Sequence, residues 1–359
     1  MKPLKYNEIM PRVAIENLKL IEADDLVSLI DKDLDAIRCA LLESAYQEEI
    51  STIPTDKLEP LSFEKALLKN YVRTHQNFIK FSAGNIRSLL LAVLKKFEVS
   101  NVKTMLRAVK AKMSVDEAMK HIIPVGALDE NRCRTILAGS KGIEDVINSL
   151  LTLEYGTIMK KVLNERTILE DLLPLEVALD KAVYQGILEA AQKLKGLDKI
   201  IAKDILGIEV DSVNVKIILR CKAKGVSQDQ IKGYLMPTAL ICEEALEEAI
   251  KATNVKSAIE CLVKVAENAE NPFYQSIFTQ ILKEHDAPLP RLEAILDNAS
   301  LKMSLYLLRK YTRYYNIGFI LAFLNLKWVE IKNLRCIIQG SERKTPSNQV
   351  KKLLLLPNG

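Results

Sequence analysis

The charged residues with the most regular spacing in this 359-residue chain are lysine–arginine pairs. Lys103 and Arg107 are four residues apart, and Lys216 and Arg220 repeat that spacing further along the chain. Residues at i and i+4 share one face of an α-helix, so each pair is expected to place two positive charges on one side of a helix. Arg335 occupies the arginine position of a third occurrence.

A glutamate accompanies each of these arginines at nearly constant distance upstream, and the three are Glu64, Glu176 and Glu293. A carboxylate and a guanidinium inside a helical bundle are costly when unpaired. The first interpretation is therefore that each arginine pairs with the glutamate of its own unit. A second is a threefold ring of basic side chains that faces a central opening. A third is a solvated helix face.

The other chemistry-bearing residues indicate neither catalysis nor a cofactor. None of the six cysteines forms a C-x-x-C pair, and His75, His121 and His285 have no acidic or cysteine partner at ligand spacing. No phosphate-binding G-x-x-x-x-G-K-[ST] loop occurs. We therefore expect no active site, no metal, no cofactor and no small-molecule substrate. The purified chain should neither bind nor hydrolyse ATP.

Composition favours a helical protein that does not bind nucleic acid. Hydrophobic residues make up 48% and charged residues 27%, while only 13 glycines and 12 prolines occur. The net charge of +5 arises from 51 basic and 46 acidic residues, without the clustered basic face of a nucleic-acid-binding protein. No apolar run reaches the ~20 residues that span a bilayer, so we expect a soluble chain.

Internal repetition gives the organisation of the chain. Asn101-Val102-Lys103 with Leu106-Arg107 recurs as Asn214-Val215-Lys216 with Leu219-Arg220. A serine and a proline follow each arginine in all three copies: Ser114 and Pro124, Ser227 and Pro237, Ser347 and Pro357. In the third copy Ile331 replaces the lysine, and Lys332 lies beside it. A proline also precedes each repeated glutamate: Pro60, Pro174 and Pro290.

These anchors predict three homologous units and their boundaries. Residues 60–173 and 174–289 form the first and second units, 290–359 the third, C-terminal half-unit, and 1–59 an N-terminal half-unit. Pro11, after Met10, would stand where Pro237 stands after Met236. The first and last segments would then complete each other. The predicted fold is all-α, with three helical-bundle units arranged as a pseudo-threefold funnel around a central cavity.

Local patterns within a unit are helical, and about five or six helices per unit are expected. Val102, Met105, Leu106 and Val109 recur at i, i+3, i+4 and i+7, which places them on one helix face. Ser114-x-x-Glu117 and Ser227-x-x-Gln230 are capping boxes for a following short helix. The third copy has Val350 at the acidic position, and its helix is expected to begin at Thr345-Pro346 instead.

The C-terminal run from Tyr315 to Arg335, including Trp328-Val329-Glu330-Ile331-Lys332, resembles the C subunits of archaeal A-type ATP synthases. The vacuolar ATPase counterpart is known as the d subunit. The earlier Leu-Arg segments and Leu175 to Asp180 are similar to the same family, so the resemblance covers the chain from about residue 10 onwards. Residues 1–50 match least well.

The resemblance implies a non-catalytic central-stalk subunit. It would join the rotor-shaft subunits D and F to the membrane proteolipid ring, alongside other A-type ATPase subunits, for ATP-linked proton or sodium transport. It would lie peripherally at the cytoplasmic face of the cell membrane. The alternative function is a soluble helical-repeat scaffold that binds a partner in its concave surface. The repeated charges Glu64, Glu176, Glu293, Arg107, Arg220, Arg335, Lys103 and Lys216 are the structural or interface candidates.

Overall fold

The structure, a computed structural model, describes residues 6–164, 171–267, 272–311 and 315–356. These residues are α-helical apart from loops, a 3₁₀ helix at Thr55–Lys57 and an isolated β-bridge between Val125 and Leu128. The all-α prediction is confirmed.

The helices are numbered in chain order. Helices α1 to α4 span Met10–Asn17, Ala23–Ser28, Leu34–Leu42 and Gln47–Ile50. Helices α5 to α10 span Pro60–Lys80, Gly84–Lys110, Val115–Lys120, Glu130–Gly139, Ile143–Ser149 and Glu154–Asn164. Helices α11 to α16 span Leu173–Gln192, Leu197–Ala223, Gln228–Tyr234, Glu243–Lys251, Val255–Glu267 and Pro272–Lys283. Helices α17 to α19 span Leu289–Lys310, Ile317–Glu342 and Ser347–Leu353.

The same helix order occurs three times: two long helices and then a short one. The triplets are α5–α7, α11–α13 and α17–α19. The second helix has 27 residues in the first two copies and 26 in the third. Three further helices follow each of the first two triplets, so the described helices match the expected number per unit. The boundaries at residues 60, 174 and 290 stay a prediction.

The first helix of each triplet begins at the repeated proline. Pro60 is the first residue of α5, while Pro174 and Pro290 are the second residues of α11 and α17. Proline suits this position because its fixed φ angle is helical and its missing N–H has no partner there in any case. Each proline therefore lies in the first turn of a long helix, while its place at the start of a bundle stays a prediction.

The short helices confirm one half of the predicted capping boxes. The Ser114 hydroxyl accepts a hydrogen bond from the Glu117 amide at 3.2 Å, and the Ser227 hydroxyl accepts one from the Gln230 amide at 3.4 Å. In the second copy the serine hydroxyl also contacts the Gln230 side-chain oxygen, at 3.0 Å. The third short helix, α19, begins directly after Pro346.

The predicted equivalence of Pro11 is wrong. Pro11 lies inside α1, whereas Pro124 and Pro237 lie in loops beyond the ends of α7 and α13. A Met-Pro dipeptide is too short to fix structural equivalence, because proline is accepted both in a first helical turn and after a helix end. Pro357 lies outside the described residues.

The described residues form two compact units. One contains residues 6–17, 187–332 and 353–356, and in it α12 packs against α17 and α15 against α14 and α16. The other contains residues 18–186 and 333–352, and in it α5 packs against α6 and α4. The face predicted for α6 is buried at Val102, Met105 and Leu106 and half-buried at Val109.

In the first two copies a repeated asparagine fixes the loop that precedes Pro124 or Pro237. The buried Asn101 side chain donates to the Ile123 carbonyl at 2.6 Å and accepts from the Ile123 amide at 3.0 Å. Asn214 does the same with Met236, at 3.3 and 2.7 Å. The loop backbone thus has its polar groups satisfied inside the core, which a buried loop requires. Val329 takes the corresponding place in the third copy.

A carboxylate one helical turn earlier holds the same loop. Glu98 accepts from the Ala127 amide at 3.3 Å, and Asp211 accepts from the Leu240 and Ile241 amides, both at 3.0 Å. The longer glutamate lies against Gly126, where an added Cβ would be 1.7 Å from the Glu98 Oε1 atom. The second copy combines the shorter aspartate with an alanine at this loop position, Ala239.

We predict that Asn101→Ala lowers the free energy of unfolding by about 2 kcal/mol, because it leaves a buried amide and a buried carbonyl of Ile123 without partners. Urea denaturation followed by circular dichroism measures the loss. Asn131→Ala, at an exposed position of α8, is the control and should change stability little. A loss of stability for Asn101→Ala no larger than that of the control would show that these hydrogen bonds do not stabilise the loop.

Candidate functional site

The first repeated arginine binds a glutamate in two places. Arg107 of α6 donates from Nε to Oε1 of Glu176 at 2.7 Å and from Nη2 to Oε2 at 2.6 Å. Such a bidentate contact fixes both planar groups and adds geometric specificity. The Glu176 side chain is only 15% exposed, whereas that of Arg107 is 61% exposed. The arginine therefore covers the carboxylate from the solvent side.

The second repeated arginine makes the same contact. Arg220 of α12 donates from Nη2 to Oε2 of Glu293 at 2.7 Å, and its Nε donates to Oε1. The Glu293 side chain is again mostly buried, and the arginine is again the more exposed partner. The two copies thus share residue types and the bidentate geometry.

The third repeated arginine also contacts a repeated glutamate. Arg335 of α18 lies with its Nη2 atom 2.8 Å from Oε1 of Glu64 in α5. These two residues are far apart in sequence, and both belong to the compact unit that contains residues 18–186 and 333–352. This contact joins the third copy of the sequence repeat to the first.

The predicted pairing is correct in residue type and wrong in unit. Every repeated arginine binds a repeated glutamate, but the glutamate belongs to the next copy. Arg107 of the first copy binds that of the second, Arg220 of the second binds that of the third, and Arg335 of the third binds that of the first. The order of pairing is therefore cyclic. The ring of basic side chains around a central opening stays a prediction.

The repeated lysines also bind acids of the next copy. Lys103 Nζ lies 2.7 Å from Oδ1 of Asp180, and Lys216 Nζ lies 2.7 Å from Oδ1 of Asp297. Each lysine precedes its arginine by four residues, and each aspartate follows its glutamate by four. In each contact the lysine, which comes first on its helix, binds the aspartate, which comes second on the other helix. The arginine, which comes second, binds the glutamate, which comes first. This crossed order requires the two helices to be antiparallel at these contacts.

Where the third copy meets the first, apolar residues stand at both positions of the lysine–aspartate pair. Ile331 stands at the lysine position and is fully buried, and Leu68 stands at the aspartate position, four residues after Glu64. Removing one partner alone would leave a charge unpaired, at a cost of roughly 3–5 kcal/mol when it is buried. Lys332, beside Ile331, instead lies 3.0 Å from Oδ1 of Asp297.

The sequence prediction missed Asp180, Asp297 and Leu68. A signal was present, because the two Glu-x-x-x-Asp stretches have the same i, i+4 spacing as the Lys-x-x-x-Arg stretches. Two helix faces with opposite charges at one spacing are complementary.

The pairs alter the protonation of their members. The hydrogen bond with Glu176 raises the pKa of Arg107, and that with Glu293 raises the pKa of Arg220. Burial alone would raise the pKa of Asp297, but the ammonium groups of Lys332 and Lys216 outweigh burial and hold that pKa below its ordinary value. Both shifts of the arginines and that of Asp297 favour the charged form, which ion pairing requires.

One histidine lies in the core, and two glycines of a glycine-rich segment lie at helix ends. His75 is completely buried, and desolvation lowers its pKa to about 3, so it is neutral at physiological pH. Gly139 ends α8, and Gly142 precedes the first residue of α9. Across the described parts of the chain, no group of three or more His, Cys, Asp or Glu residues could hold a metal ion.

Comparison with known proteins identifies the family of the chain. The family described as ATP synthase (C/AC39) subunit matches residues 9–353. The chain belongs to this family. Its members are subunits of an ATP synthase, and the chain is accordingly a non-catalytic subunit rather than an enzyme in its own right.

Similar curated proteins are named as the C subunits of archaeal A-type ATP synthases. The one from Methanosphaera stadtmanae is 27% identical over 296 residues, which cover 81% of this chain and 74% of the relative. That from Methanocaldococcus jannaschii is 24% identical over 354 residues, covering 98% and 86%. That from Archaeoglobus fulgidus is 23% identical over 350 residues, covering 97% and 95%. No helix within the described residues is long and apolar enough to cross a membrane.

We predict an energetic coupling between Arg107 and Glu176 of about 0.5–1 kcal/mol, the range of partly exposed ion pairs. The measurement is a double-mutant cycle of Arg107→Ala and Glu176→Ala in urea denaturation. The matched control cycle joins Arg107→Ala with Glu64→Ala, the glutamate of its own unit, and should give a coupling near zero. A larger coupling in the control cycle would restore the own-unit pairing.

We predict that Asp297→Asn destabilises the protein at neutral pH and has little effect in acid. Because the folded state lowers the pKa of Asp297, this carboxylate contributes stability above its unfolded pKa, and that contribution is lost as the pH falls through the folded value. Urea midpoints at pH 7 and at about pH 3 measure the difference. Asp56→Asn, at an exposed position, is the control; equal losses for Asp297→Asn at both pH values would contradict the ion-pair network.

Proposed function

We propose that the chain is a central-stalk subunit of an A-type or V-type rotary ATPase, and that it couples the rotor shaft to the membrane proteolipid ring. The observation that carries the proposal is the cyclic order of the arginine–glutamate pairs. Family membership supports it, because the similar archaeal proteins are named as the C subunits of A-type ATP synthases.

The coupling role demands a structure that resists twisting. A coupling subunit must transmit torque without catalysing anything, so its stiffness matters more than any reactive group. Three helical units that bind head to tail in a closed order share a load among three contacts. In an open chain of units, the last unit has no further neighbour to support it. The pairs from Arg107 to Glu176, Arg220 to Glu293 and Arg335 to Glu64 supply such an order. The proposal includes the funnel with its central cavity.

The proposed partners follow from this role. The cavity would seat the shaft subunits D and F, and the opposite side would rest on the proteolipid ring at the cytoplasmic face of the cell membrane. Other subunits of the A-type ATPase complete the assembly. A stable interface of this kind buries more than about 1,000 Å², so each partner needs a substantial share of the surface. The transported ion would be a proton or a sodium ion.

Deletion of the chain tests the proposal. We predict that membranes assembled without it lose ATP-driven ion pumping, while the soluble sector still hydrolyses ATP, because the catalytic sites lie in other subunits. Pumping is followed with a pH-sensitive or sodium-sensitive dye in sealed vesicles. Re-addition of the wild-type chain should restore it. Pumping that persists without the chain would show that the assigned role is wrong.

A charge-exchange series links the role to the ion pairs. Arg335→Glu should reduce pumping, because it sets two carboxylates opposite each other at the contact between the third and first copies. Arg335→Glu combined with Glu64→Arg should recover a large part of it. Binding of labelled ATP to the isolated chain should be absent throughout.

A further inference from the structure

Exposed apolar side chains gather at the beginning of α12 and just before α18. Leu197 is 37% exposed, Ile200 57% and Tyr315 67%. Single exposed apolar residues are normal, but a group of them marks an interaction surface. All three belong to the compact unit that contains residues 187–332.

Direct contacts hold the two segments together. The Asp198 carboxylate accepts a hydrogen bond from the Ile317 amide at 3.0 Å. A Cβ added to Gly318 would lie 2.8 Å from Cγ2 of Ile201, so the starts of α12 and α18 approach each other closely. Leu197 and Tyr315 are within two residues of the bonded pair, which places them at the same end of these helices.

Basic side chains lie among the apolar ones. Lys195, Lys199 and Lys203 are all exposed. The acidic residues of the same stretch are withdrawn: Asp198 is buried, and Asp204 is half-buried with a pKa that burial raises. The exposed charge of this surface is therefore positive.

The first copy of the repeat lacks these features. Gly84 stands at the position of Leu197, the buried Ile86 at that of Lys199, and the buried Leu90 at that of Lys203. The helix fold of the unit therefore does not require exposed lysines or leucine there. The exposed residues of the second copy are therefore available for another role.

We propose that this basic–apolar surface, formed by Lys195, Leu197, Lys199, Ile200, Lys203 and Tyr315, contacts the anionic headgroups of a lipid bilayer. Lysines attract anionic lipid, and short apolar side chains beside them enter the headgroup layer. Tyrosine is enriched at this depth because its ring is apolar and its hydroxyl polar. The apolar side chains protrude from a helix start and a linker, and a deformable headgroup layer accommodates such protrusions.

A contact with lipid is separate from the coupling role, which depends on contacts with other proteins. It is tested on the purified full-length chain, in the absence of any other protein of the complex. Failure of this test would therefore leave the coupling proposal untouched, and loss of coupling activity would not decide this one.

Flotation with vesicles provides the test. The chain should bind vesicles of phosphatidylcholine mixed with phosphatidylglycerol, and should bind vesicles of phosphatidylcholine alone more than about tenfold more weakly, since each lysine near an anionic surface contributes about fivefold. Binding should fall as salt is raised. Absence of binding to the anionic vesicles, or equal binding to both kinds, would overturn the proposal.

Matched variants locate the contact. Lys199→Glu with Lys203→Glu should weaken vesicle binding more than about tenfold, whereas Lys224→Glu with Lys256→Glu, an equal charge change at exposed positions of the same compact unit, should change it little. Ile200→Ser should weaken binding without altering its salt dependence. Circular dichroism confirms that each variant is folded. An equal loss in both double variants, or binding to soluble polyglutamate in place of vesicles, would overturn the lipid assignment.

Discussion

The bidentate contact between a repeated arginine and the glutamate of the next copy is the interaction that links the copies of the helical repeat. It uses two side chains that each helical unit already carries, one on its second long helix and one on its first. Each arginine binds the glutamate of the next copy, and the third arginine binds the glutamate of the first, so the order of pairing is cyclic.

The contacts also show how a repeat diverges without losing its pattern. Lys103–Asp180 and Lys216–Asp297 are kept as ion pairs, while Ile331 of the third copy and Leu68 of the first stand in place of both charges. The carboxylate that holds the loop and the loop residue next to it also change together. The first copy has glutamate with glycine, Glu98 and Gly126, and the second copy has aspartate with alanine. Each change is accepted because its partner changes with it, so no charge or volume is left uncompensated.

Sequence alone predicted the helices, their repetition, the starts at proline and the serine caps, because these depend on neighbours a few residues apart. It placed Arg107 with the wrong glutamate, because repetition reveals what a unit contains and not which copy it contacts. Asn101 and Asn214 belonged to the repeated motif, but their buried bonds to the loops depend on packing. Pro11 was misplaced because a dipeptide match carries no tertiary information.

The contact between Arg335 and Glu64 is the one that distinguishes a closed order of units from an open one. Arg335→Cys and Glu64→Cys, in a chain whose exposed Cys39 and Cys242 are replaced by serine, can be treated with a short bis-maleimide. We expect an intramolecular cross-link, seen as a shift in gel mobility, and retained ion pumping by complexes that contain the linked chain. No cross-link, or one that forms equally well between Arg335→Cys and Glu176→Cys, would contradict the closed order of units.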